Sequence, residues 1–148
     1  MRKFFIFAAL VLTGTAATAQ LPGLRKRSAA PTQPVLQGID ALRADFAAQS
    51  GGTTVYFGAD SVGLAAPARI VLSAQAAWLR RHPEIVVRVE GYGDSGDTRD
   101  HALAVGARRA EEARSYLVLL GVPLAQVSVT SWGKERPGLG RAVTVLVR

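Results

Sequence analysis

From Gly38 onward, apolar and polar positions alternate in blocks that change period, and each change marks an element. Gly38 to Gln49 sets Ile39, Leu42 and Phe46 at helical spacing, and Gly51-Gly52 ends that run. Thr53 to Phe57 is β-branched and aromatic, which predicts a strand. Pro67 suits the first turn of a helix running to Arg81, with Ile70, Ala74, Ala77 and Trp78 as its apolar stripe and Pro83 as its stop. Ile85 to Glu90 predicts a second strand, stopping at Gly91. A longer helix follows from Thr98 to Leu120, capped by Asp97 or Thr98 and closed by Gly121. Its buried face is expected at Leu103, Ala110, Ala113, Leu117 and Leu120, with Arg109 to one flank. Val127 to Trp132 and Ala142 to Val147 supply two more strands across a turn-rich link. The order β-α-β-α-β-β, preceded by a short N-terminal helix, predicts an α/β (α+β) two-layer sandwich with helices on one face of a four-stranded sheet.

The first residues follow another pattern. Arg2 and Lys3, the apolar Phe4 to Val11 and the small-residue Ala17-Thr18-Ala19 read as a cleavable signal peptide over residues 1–19. The apolar run falls short of the ~20 residues that a spanning helix needs. Residues 20–36, with several prolines and the basic cluster Arg25-Lys26-Arg27, are expected to be a linker or tail, leaving 37–148 as the one domain that 148 residues accommodate.

Charge changes the picture only once export is included. The chain carries +7, and loss of Arg2 and Lys3 leaves +5. A basic protein favours polyanions, among them nucleic acid, anionic lipid and carboxylate-rich wall polymers. Export to the periplasm removes nucleic acid and favours the cell envelope. Cysteine is absent, so neither disulfides nor thiolate metal sites are available, and no covalent lipid anchor is expected at the cleavage site.

Candidate chemistry concentrates between Gly91 and Arg109. Asp94 follows a strand end, and Arg109 lies fifteen residues on inside the helix. A carboxylate and a guanidinium at such a corner can hold a zwitterion, one taking an ammonium and the other forking onto a carboxylate. By spacing alone a structural salt bridge explains the pair better. Gly91 to Gly96 also spells G-x-G-x-x-G, but no acid at a second strand end follows about 20 residues later, as a dinucleotide site requires. His101 beside Asp97, Asp100 and Ser95 lacks the geometry of a hydrolytic triad, and His82 with His101 lacks zinc spacing. No enzyme, cofactor or metal is therefore expected.

The stretch EGYGDSGDTRDHALAVGARRA resembles the signature of the OmpA-like peptidoglycan-binding domain, closest to its peptidoglycan-associated lipoprotein branch. VYFGADS, AAWLRRHP and SWGKERP extend the resemblance from about Thr54 to Val147. It implies a mixed sheet and a non-catalytic envelope module in which Asp94 and Arg109 grip the diaminopimelate of the peptidoglycan stem peptide. Thr98 and Asp60 match further residues of that site. Four positions depart: Tyr92 replaces a histidine, Ala102 an asparagine and Ala59 an aromatic residue, while a late Asn-Arg-Arg survives as Gly140-Arg141. The alternative is the same fold with weakened or lost peptidoglycan binding, docking another envelope protein.

Overall fold

The computed structural model describes residues 34–136 and 140–148; the expected signal peptide and most of the expected linker lie outside them. The elements run α1 (Pro34–Gln49), β1 (Thr54–Tyr56), α2 (Ala66–Arg81), β2 (Val87–Tyr92), α3 (Arg99–Leu119), a 3-10 turn (Leu124–Gln126), β3 (Val127–Gly133) and β4 (Arg141–Leu146). The sheet order is β1-β4-β2-β3, with β2 and β3 parallel and the other pairs antiparallel. The mixed four-stranded α+β architecture is as expected; the strand order is new information, because register between distant segments leaves no local pattern.

α1 begins four residues before the expected Gly38, inside the stretch read as linker. Proline is tolerated at a helix start, where its missing N–H has no intrahelical partner, so Pro34 opens the helix instead of preceding it. Phe46 anchors α1 by meeting the Trp78 ring edge-on at 5.1 Å. Trp78 is wholly buried, stacks on His82 at 3.8 Å and donates Nε1–H to Asp45 Oδ2 at 2.7 Å.

Two expected faces are rotated. On α2 the buried row is Ala68, Leu72, Gln75, Ala76, Trp78 and Leu79, whereas Ile70 is 72% exposed. Burying Leu72 and Leu79 removes more apolar surface from water than burying Ala74 and Ala77 would. Gln75 tolerates burial because its amide bonds Gly52 O and accepts from Thr144 Oγ1. On α3 the buried row is Ala102, Val105, Gly106, Arg109, Ala110, Ala113 and Leu117, and Leu103 is half exposed. Here the smallest residues face the sheet, because helix and strand meet backbone to backbone.

That close approach also explains why β2 does not stop at Gly91. A Cβ on Gly91 would lie 1.9 Å from Gly106 O, and one on Gly93 2.4 Å from Ala102 O. Gly91 is thus a packing residue within the strand, not its terminator. The strand runs on to Tyr92, with a register shift between Gly91 and Tyr92. α3 ends in the expected way: Gly121 takes φ +91°, its N–H bonds Val118 O, and the Val122 N–H bonds Leu117 O. These bonds satisfy the last carbonyls of the helix.

Candidate functional site

The site lies where the end of β2, the loop into α3 and the loop after β1 converge. Close seating of α3 on Gly91 and Gly93 carries Arg109 beneath the β2–α3 loop. Its side chain is fully buried, on the packed face of α3 and not on the flank where spacing placed it. All five guanidinium hydrogens are engaged. Nε donates to Ser61 O at 2.8 Å. Nη1 donates to Tyr92 O at 2.9 Å and Asp94 Oδ1 at 3.0 Å. Nη2 donates to Gly58 O and Asp94 Oδ2, both at 3.1 Å. The guanidinium also lies 5.4 Å from the centre of the Phe57 ring.

Asp94 therefore receives the arginine fork itself, in the bidentate geometry that suits a planar guanidinium. Oδ2 accepts a further bond from the Asp60 N–H at 3.0 Å. These bonds, Arg109's first, hold the Asp94 carboxyl below the ordinary aspartate range although burial pushes the other way. Its side chain keeps 24% of its surface exposed, so the fixed, charged Asp94 is not sealed from solvent. Arg109 has no N–H left for an incoming carboxylate unless Asp94 or a carbonyl is displaced.

Asp60 joins the pair through its backbone, in the left-handed region at φ 51°. Thr98 sits at the far end of the loop as the α3 cap, with Oγ1 accepting the His101 N–H at 3.3 Å. The start of β4 closes the other side: Gly140 N–H bonds Gly93 O, and its carbonyl accepts from Phe57 N–H.

The departures from the family signature differ in consequence. Tyr92 contributes only its carbonyl to the site; its ring lies on the other face of the sheet, where its hydroxyl donates to Glu90 Oε2 at 3.1 Å and Arg141 covers it. Ala102 is wholly buried, packed against Gly93. Ala59 is exposed. Sequence reasoning missed the three carbonyls of Gly58, Ser61 and Tyr92, which carry no residue signature. It also missed the convergence of Asp60 with Asp97 and His101, whose ligand-type atoms lie within 4.8 Å of one another.

The model of the OmpA family matches residues 56–143. A peptidoglycan-associated lipoprotein of Agrobacterium fabrum is 42% identical over 86 residues, covering 58% of this chain and 49% of that protein. One from Pseudomonas aeruginosa is 41% identical over 99 residues, covering 67% and 58%. The crystal structure of the peptidoglycan-associated lipoprotein from Burkholderia pseudomallei superposes with a TM-score of 0.63 at 33% identity, over 66% of this chain and 92% of that one. The chain spans about half the length of the curated relatives it matches first.

Proposed function

We propose that this chain, which belongs to the OmpA family, is a non-catalytic periplasmic module that binds peptidoglycan through the diaminopimelate of its stem peptide. The observation that carries the reading is the Asp94 carboxylate, locked by Arg109 on a side chain that keeps part of its surface exposed. That carboxylate accepts the side-chain ammonium of diaminopimelate, with Asp60 beside it. Arg109 is a positioning residue: it keeps Asp94 charged and aimed, and the ligand does not touch it. The ligand carboxylate is left to the Thr98 hydroxyl and the first amides of α3, where N–H groups and the helix dipole favour an anion. An exported chain with an excess of basic residues suits an acidic wall polymer. Relatives named for their association with peptidoglycan support the same reading.

One observation favours a second reading. Ala102 lacks the hydrogen-bonding groups of the family's asparagine; on this second reading peptidoglycan affinity is low and the fold serves docking of another envelope protein.

Calorimetric titration with a stem peptide separates the two. The peptidoglycan reading expects binding by the diaminopimelate peptide and loss of about tenfold or more when its side-chain ammonium is acetylated, since a charge-assisted bond is worth about 1.5–3 kcal/mol. A lysine-containing peptide, which keeps the ammonium, is expected to retain part of the affinity. Equal binding of acetylated and free peptides removes Asp94 from the site, and binding of neither favours the second reading.

A further inference from the structure

The fold gathers three side chains that no motif connects. Asp60 comes from the β1–α2 loop, Asp97 immediately precedes the α3 cap, and His101 lies in the first turn of α3. One ligand-type atom from each lies within 4.8 Å of the other two. A second observation points to an absent positive partner. Asp97 Oδ2 has no exposed surface and no hydrogen-bond partner among the described residues. It faces His101 Nε2 at 3.8 Å, too far for a hydrogen bond, from a side chain only 15% exposed. Leaving a buried polar atom unsatisfied is unfavourable, and more so when it is charged. Neighbouring cations do not relieve it: Lys134 Nζ donates to the Asp97 backbone oxygen, and Arg99 pairs with Glu135 at 2.7 Å.

We propose that Asp60, Asp97 and His101 form a site for a divalent transition-metal ion of the zinc class, which shares Asp60 with the proposed peptidoglycan site but does not rest on that reading. The donor set selects the metal. Magnesium and calcium prefer oxygen-only shells, whereas zinc accepts imidazole nitrogen with carboxylate oxygen. Three protein ligands leave a fourth zinc position for water or an incoming oxygen. Ligands about 2.0–2.2 Å from zinc stand roughly 3.3–3.6 Å apart in a tetrahedron, so the cluster must contract by about 1 Å. His101 is 58% exposed and Asp60 is exposed, so their rotamers can supply that movement. The α3 N-terminus opposes a cation with about half a positive charge, which two carboxylates outweigh. The distance between His82 and His101 in the sequence argued against zinc, but this site needs only one of them.

Calorimetric titration of the untagged chain with zinc chloride tests the assignment, with magnesium chloride as the control. Saturable binding of one zinc per chain is expected, with no saturable magnesium binding. His101→Ala and Asp97→Asn should each weaken zinc binding at least tenfold, and His82→Ala should leave it unchanged. Because His101 is exposed, His101→Ala should unfold in urea like the wild type, so its lost affinity is not lost fold. Zinc should raise the melting temperature of the wild type and not that of His101→Ala. Absence of saturable zinc binding, or undiminished binding by His101→Ala, overturns the proposal.

Discussion

Replacing Arg109 by alanine removes a wholly buried guanidinium that donates five hydrogen bonds. Three backbone carbonyls lose the Arg109 donor; Gly58 O keeps the Ser61 N–H, and a carbonyl left without any donor costs about 1–3 kcal/mol if it stays dry. Asp94 loses its counter-charge, and breaking a buried ion pair from one side costs about 3–5 kcal/mol. These losses do not add fully. Asp94 is 24% exposed and can rehydrate, and water entering the vacated space can serve some carbonyls. A net loss of about 3–5 kcal/mol follows, a large share of the roughly 5–15 kcal/mol that holds a domain together. The melting temperature should fall by about 10–20 °C. Arg109→Lys restores the charge but cannot reach the spread of acceptors, so about half the loss should remain. Urea denaturation followed by circular dichroism measures both variants. Stability of Arg109→Ala within about 1 kcal/mol of the wild type would refute the idea that this guanidinium holds the corner together.

Stability should also depend on acidity through Asp94. Its carboxyl is depressed in the folded state, so its contribution is present above the unfolded aspartate value, about pH 4, and is lost as pH falls through the lower folded value. Urea midpoints measured from pH 6 downward should drop less steeply in Asp94→Asn than in the wild type; parallel curves would count against the pairing. Gly91→Ala, whose Cβ would meet Gly106 O at 1.9 Å, should cost about 3 kcal/mol or more, whereas Gly96→Ala, with nothing within 4 Å, should be close to neutral in the same assay. Phe46→Ala should cost about 3–5 kcal/mol by opening a hole beside Trp78, and a melting curve like the wild type's would show that α1 is not part of the core.

What could be read in the sequence was what neighbouring residues decide among themselves. Gly121 closing α3, Pro83 after α2 and Thr98 as a cap all depend on contacts within a turn or two. Ile70 and Leu103 fall outside the buried rows because helical spacing finds an apolar stripe but does not fix which rotation of the helix meets its neighbours. Against the sheet the decisive property of α3 is smallness, at Ala102 and Gly106, and that preference exists only once Gly91 and Gly93 lie beneath it. The proximity of Asp94 to Arg109 was legible through the family signature, but the carbonyls that share the guanidinium were not. An arginine drawn as a clamp for a ligand proves to be saturated by Gly58, Ser61 and Tyr92 carbonyls and by Asp94 itself. Carbonyl acceptors belong to every residue, so no sequence pattern could have shown them.

The central claim is that the carboxylate of a partly exposed Asp94 recognises an ammonium on the cell wall. Co-sedimentation of the untagged chain with purified peptidoglycan sacculi, in competition with soluble stem peptides, tests it most directly. The chain should pellet with sacculi and be released by the diaminopimelate peptide, but not by the same peptide with its side-chain ammonium acetylated. A chain that stays in the supernatant, or that both peptides release equally, would contradict the account.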